Sequence, residues 1–187
     1  VERVTLTDRR TIAAQIGREP RGLSGIARRC SYGFPQVVRV HPVVEGKPFP
    51  TLYWLTCPWL CGAVDRLEAA GRIAELEERL STDLDMARRL DAANDAYVAD
   101  RSGLLSRAEV DDLRARGFLE SLTERGIGGI AGLRGIKCLH LHVAHELAQG
   151  NPIGELVLRE IVARECSPDE KICSTLGRVE QIRQINR

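Results

Sequence analysis

Aromatic side chains are scarce in this chain: three Phe, three Tyr and two Trp among 187 residues, or 4%. Stacking platforms for single-stranded nucleic acid depend on such rings, so their shortage argues against that partner. An excess of charge of one sign is missing as well. With 27 basic and 26 acidic residues the formal net charge is +1, which offers no general attraction to a phosphate backbone or an anionic membrane. No apolar run approaches the ~20 residues that span a bilayer, and no signal-peptide pattern opens the sequence. We therefore expect a cytoplasmic protein whose six cysteines stay reduced.

Several chemical signatures are absent too. "GIGGIAGLRG" (126–135) has glycines but no Gly-Lys-Ser/Thr end, and no strand clearly leads into it, so it is not a phosphate-cradling loop. "HVAHE" (142–146) has the wrong spacing for an H-E-x-x-H zinc helix. No C-x₂-C pair occurs; Cys57 and Cys61 stand four apart.

What is present is ordinary for a folded domain: 43% hydrophobic and 28% charged residues. Asp8–Gly17 reads as a short amphipathic helix capped by Thr7 or Asp8. Residues 18–35 are rich in Gly, Pro and Arg and read as loop or short irregular strand. Gln36–Val44 and Thr51–Thr56 read as strands, with Pro42 demanding an edge or a bulge. Pro58 opens a long helix whose stripe runs through Leu60, Val64, Leu67, Leu76 and Leu80. Further helices follow from about Asp83 to Asp100, from a capping box at Ser106–Glu109, and over Gly154–Arg164. The expected fold is α+β, a mostly helical single domain (1–165) with a small antiparallel β-sheet, followed by a C-terminal extension (166–187).

One stretch concentrates chemistry. "IKCLHLHVAHEL" (136–147) holds three of the four histidines and one cysteine, and should be a helix ending near Gly150-Asn151-Pro152. On a regular helix from Cys138, His145 falls about 20° from the cysteine and His142 about 40°, whereas His140 points away. His140 replaces His145 only if the helix starts late. Cys138 would stand at the helix N-terminus, where free N–H groups and the dipole favour a thiolate. "TCPWL" places Cys57 at a second helix start, with Pro58 at the first helical position. Cys30 precedes a Gly/Pro turn, "CSYGFP". For Cys61, Cys166 and Cys173 the expectation is burial as small hydrophobes, away from any site.

"RCSYGFPQVV", "PFPTLYWLTCP", "DRLEAAG" and "IKCLHLHVAHELAQGNPIG" resemble the uncharacterised bacterial family called domain of unknown function 501. The resemblance covers most of residues 18–155 and falls on Cys30, Cys57, Cys138, His140 and His145. Where the family often has proline after its first cysteine, this chain has Ser31. The genes of the family often neighbour a septum-formation initiator and an exopolyphosphatase, which implies a cell-division setting and no reaction.

The resulting expectation is a metal or iron–sulfur site built by Cys30, Cys57 and Cys138 with His145, or His140 in its place. Soft thiolates select zinc, copper(I) or iron–sulfur chemistry. Dispersed single cysteines suit a [4Fe-4S] cluster, with zinc as the alternative. Candidate catalytic groups are His145, His140 and Lys137. A small anionic sulfur- or oxygen-bearing ligand would be recognised by Arg28, Arg29, Arg134 or Lys137 at the rim of a pocket. Two other readings stay open. One is a metal-free thiol enzyme using Cys138 or Cys57 with a histidine base. The other is a structural Cys3His zinc protein serving as a binding module for a division-protein partner.

Overall fold

The structure, a computed structural model, describes residues 1–131 and 135–176. Helix α1 (Leu6–Ile16) starts at Thr5, whose hydroxyl accepts from Asp8 N while the Asp8 carboxylate receives the Thr5 N–H. That capping box moves the helix start two residues ahead of Thr7. Three strands follow, β1 (Leu23–Arg29), β2 (Pro35–Val40) and β5 (Tyr53–Leu55), in the antiparallel order β1-β2-β5. Two two-residue strands, β3 (Val43–Val44) and β4 (Lys47–Pro48), form a separate hairpin. Pro42 lies between β2 and β3, so the single strand expected over 36–44 is broken where proline has no N–H to donate.

The helix expected from Pro58 to Leu80 is two: α2 (Pro58–Ala69) and α3 (Arg72–Thr82). Gly71 separates them with φ of 88°, a left-handed conformation that glycine adopts without steric cost. The apolar stripe runs through both helices, so periodicity alone does not reveal the corner. Beyond it come α4 (Leu84–Ser102), α5 (Arg107–Ala115), α6 (Glu120–Thr123), a 3₁₀ turn at Ile127–Gly129, α7 (Leu139–Ala148) and α8 (Pro152–Glu160). The architecture is α+β, mostly helical with a small antiparallel sheet, as expected. No helix among the described residues is long and apolar enough to cross a membrane.

One large core joins the sheet to the helices. Val37, Leu52 and Leu55 from the strand region meet Leu60, Val64, Leu76, Leu90, Leu139 and Val143. Burial of these aliphatic side chains, each contributing on the order of 1.5–3 kcal/mol, is the main drive to fold. Two charged groups inside are satisfied rather than left to solvent. Arg101, fully buried, donates to the carbonyls of Leu122 (2.8 Å), Pro50 (2.9 Å) and Arg125, tying the glycine-rich segment to α4. Asp8 receives both guanidinium nitrogens of Arg29, at 2.7 and 3.1 Å, which pins α1 to the end of β1.

Helices α7 and α8 approach closely at Gly154, where a Cβ would collide with the His142 carbonyl and the Glu146 Cβ. Gly154→Ala should therefore destabilise the protein by about 1–3 kcal/mol, read as a lower urea midpoint. Gly62→Ala is the control. Its Cβ would meet only the Arg66 guanidinium, at 3.7 Å, and the substitution should be neutral or slightly stabilising.

Candidate functional site

Helix α7 begins with an uncapped residue. Cys138, extended at φ −161° and ψ 152°, is the N-cap, and its side chain makes no capping hydrogen bond. The first free amide is satisfied from another helix: Leu139 N donates to Glu68 Oε1 at 2.5 Å. A carboxylate at this position also meets the positive end of the helix dipole. The same Glu68 oxygen lies 3.2 Å from His140 Nδ1, and His140 Nε2 lies 3.3 Å from Asp65 Oδ1. Asp65 and Glu68 stand three apart on α2, so both carboxylates face the start of α7. One ligand atom each from Glu68, Cys138 and His140 lies within 4.8 Å of the other two, the one such group among the described residues. Both His140 and Glu68 keep about a quarter of their side-chain surface open, 24% and 23%. The adjacent Cys138 sulfur, and then the Glu68 charge, push the His140 imidazole up to about 9. Without another cation, the protonated ring supplies the positive charge that this anionic cluster attracts.

The helix does start late, at Leu139, so the angular relation between Cys138 and His145 on a continuous wheel does not hold. His145 is 1% exposed, stacked on Tyr53 at 5.9 Å and edge-on to Tyr97 at 5.0 Å. It is a core residue beneath the site. Cys57 is the N-cap of α2, as expected, yet Glu68 is eleven residues further along that helix, about 16 Å at 1.5 Å per residue. Cys138, held at the Glu68 end, is thereby separated from Cys57. Cys30 sits with Cys57, since Cys57 N donates to Gln36 O and β2 begins opposite Arg29. The three cysteines expected to share one site are divided between two places.

The basic residues are mostly engaged elsewhere. Arg29 holds Asp8 and Glu2, and Lys137 Nζ donates to Gly128 O at 3.3 Å. Arg28 is exposed, and Arg134 lies outside the described residues. A cleft beside α2 is lined by Trp59, Arg66 and Glu160, and another by Trp54, Arg18 and Phe49; neither contains Cys30, Cys57, Cys138 or His145. Sequence reasoning missed Glu68 and Asp65 as site residues. The sequence "DRLEAAG" puts two carboxylates on one face of a helix but does not say which element that face meets.

Comparison with protein families matches residues 26–159 to "Protein of unknown function (DUF501)". The chain belongs to the DUF501 family. No curated protein and no solved structure matches it. The matched span contains Asp65, Glu68, Cys138 and His140, and it excludes the residues after 159.

Behind the candidate site of this DUF501 chain, Asn151 organises the two inner histidines. Its Oδ1 caps α8 by accepting from Ile153 N (3.0 Å) and Gly154 N (2.9 Å), and it lies 3.2 Å from His142 Nδ1. Its amide nitrogen is 3.3 Å from His145 Nδ1. These contacts assign His142 as the Nδ1–H tautomer and His145 as the Nε2–H tautomer. The Nε2 atoms of both rings are buried without a hydrogen-bond partner. Burial pushes each imidazole down to about 4.

The unfolded chain protonates these two histidines near pH 6.5, whereas the native protein resists until about pH 4. Between those values the unfolded state binds more protons, so stability is full above pH 6.5 and declines as pH falls through the window. His140, raised to about 9, acts in the opposite sense and above the window: its contribution is complete below pH 6.5 and is lost as pH rises through 9. Asp8, held well below its ordinary value by Arg29, acts only under pH 3.8. Urea midpoints measured from pH 7 to pH 4.5 should fall, and His142→Gln should flatten that slope. An unchanged slope in the variant would place the titrating groups elsewhere.

Proposed function

We propose that the protein binds a divalent transition-metal ion through Cys138 Sγ, His140 Nδ1 and Glu68 Oε1, and presents an open coordination position to a small anionic ligand. The observation that carries this reading is the convergence of one sulfur, one nitrogen and one oxygen donor within 4.8 Å. Zinc accepts all three donor types, with bonds of about 2.0–2.3 Å. Neighbouring ligands around a tetrahedral ion stand about 3.3–3.8 Å apart at such bond lengths, so the 3.2 Å between His140 Nδ1 and Glu68 Oε1 needs little adjustment. The far ring nitrogen of His140 is held by Asp65, the carboxylate–histidine pairing that orients a metal-ligating imidazole. Three protein ligands with partial exposure leave the fourth position of a tetrahedral ion for solvent or substrate, the pattern of catalytic rather than structural zinc.

The donor set and the division of the cysteines favour a mononuclear ion here over a three-cysteine cluster. When bound, the ion would supply Lewis acidity or an activated water. The protein's own part is to hold the ligands on two packed helices and to keep His140 oriented. A metal-free thiol reading has one observation of its own: Cys138 stands at a helix N-terminus beside an imidazole and two carboxylates, the order of nucleophile, base and orienting group. Both ring nitrogens also face carboxylates, however, so the imidazole is shared between them and the Cys138 sulfur rather than reserved for the thiol.

Zinc titration of the purified full chain should show one site whose affinity falls at least roughly tenfold in Cys138→Ser, His140→Ala and Glu68→Gln. Asp65→Asn should weaken it by about 10–100-fold or less, as a residue acting through His140. Bound zinc should also slow alkylation of Cys138. Undiminished zinc affinity in all three ligand variants, with Cys138 still rapidly alkylated, would favour the thiol enzyme.

A further inference from the structure

The chain leaving α8 folds back over the sheet. Trp59 Nε1, in the first turn of α2, donates to Ala163 O at 2.8 Å, and Gln36 Nε2 on β2 donates to Arg164 O at 3.3 Å. Glu165 then caps the turn after β1, accepting from Ser31 N at 2.8 Å and from the Ser31 hydroxyl. Tyr32 OH donates to Cys166 O at 3.0 Å. Further on, Gln15 Nε2 donates to Cys173 Sγ at 3.2 Å and to Pro35 O at 2.8 Å. Residues 166–176 are thus not a detached extension.

Every one of these contacts lands beside Cys30 or Cys57. Cys30 N donates to Phe34 O at 2.9 Å, and Cys57 N donates to Gln36 O at 3.3 Å. Four cysteines from three separate parts of the sequence therefore surround one end of the three-stranded sheet. Their mutual influence agrees with that placement. Burial pushes Cys57 up to about 11, with Cys173 and Cys30 adding to the rise, and Cys30 and Cys166 add to the rise at Cys173. Cys166 and Cys173 were expected to lie elsewhere, and the folded-back chain brings them here.

We propose that Cys30, Cys57, Cys166 and Cys173 are the four thiolate ligands of an iron–sulfur cluster seated at this end of the sheet, separate from the Glu68–Cys138–His140 site. Four thiolates are the usual ligand set of such clusters. The spacing does not match the close set of sulfurs around a single tetrahedral ion. Tetrahedral zinc with bonds near 2.3 Å requires sulfurs about 3.8 Å apart, whereas thiolates around a cubane stand about 6–7 Å apart. No three of these four sulfurs lie within 4.8 Å of one another. One sulfur already accepts a hydrogen bond, and the start of α2 favours negative charge at another. Gln15 donates to Cys173, and the Trp59 and Leu60 amides at the start of α2 act on Cys57 in the direction that favours its thiolate. Cys61 is excluded, because its thiol donates to Leu55 O at 3.6 Å and belongs to the packing of α2.

The test uses the full chain, purified without oxygen and reconstituted with ferrous iron and sulfide. It should turn brown, absorb at about 400 nm, and bind iron and acid-labile sulfide in equal amounts. Cys30→Ser, Cys57→Ser, Cys166→Ser and Cys173→Ser should each lower bound iron by roughly fivefold or more, while Cys61→Ser and Cys138→Ser leave it unchanged. Cys57 is buried in the core, where loss of iron and loss of folding coincide, so the partly exposed Cys166 and Cys173 decide. Wild-type iron content in both of those variants overturns the proposal. So does colourless wild-type protein after reconstitution, protein that takes only zinc at these cysteines, or a chromophore that disappears with Cys138→Ser. Because Cys138→Ser is the key variant for the zinc site, failure of either site is distinguishable from failure of the other.

Discussion

The Glu68 carboxylate is the constraint on which the site depends. It stands at the junction of α2 and α7, satisfies the first amide of α7, and faces the imidazole of His140 one residue later. A helix whose N-cap side chain provides no acceptor needs one from outside, and burying an unsatisfied amide there would cost about 1–3 kcal/mol. The need for a cap thus draws a carboxylate to the place where a cysteine and a histidine already stand. Structure and chemistry share one oxygen atom. Asp65, one turn earlier on α2, extends the same arrangement to the far side of the imidazole.

A second tie holds α7 from beneath. Asn151 caps α8, contacts both inner histidines, and lies beside the tight crossing at Gly154. His142 and His145 have no exposure to speak of and stay neutral, filling the layer between α7, α8 and the Tyr53–Tyr97 pair. The three histidines of one short helix therefore have two different fates. His140, on the first turn, faces carboxylates and carries charge. Its two neighbours face the core and shed it.

Most of the fold was legible because its signals are local. The capping box at Ser106, Pro58 at a helix start, Pro42 between strands and the period of the apolar positions each act within a few residues of chain. The break at Gly71 was not legible from the stripe, because Leu67 and Leu76 continue the same apolar face on both sides of the corner. In the site, Cys138 could be singled out from its place at a helix start, whereas His140 entered through the family resemblance and as the replacement for His145 if the helix started late. Glu68 could not be told from a solvated charge, since its role depends on which helix packs against α2. His145 outranked His140 on a wheel that assumed helix from Cys138 onward, and one residue of extended backbone at Cys138 reverses that ranking.

By itself the sequence determined the class of the fold, the family, and the supply of thiol and imidazole groups at two helix starts. The family follows from the likeness of its motifs, and the rest from composition, periodicity and capping, which are properties of neighbouring residues. Only the tertiary structure decided which groups meet. Helix α2 is long enough to hold Cys57 and Glu68 at opposite ends, so Cys138 goes to the carboxylates and Cys57 to Cys30. The return of the chain after α8 then adds Cys166 and Cys173 through bonds to Ser31, Tyr32, Gln36 and Gln15. Such pairings join residues more than a hundred positions apart. They are set by how the helices and the returning chain pack on the sheet, which no short-range pattern encodes.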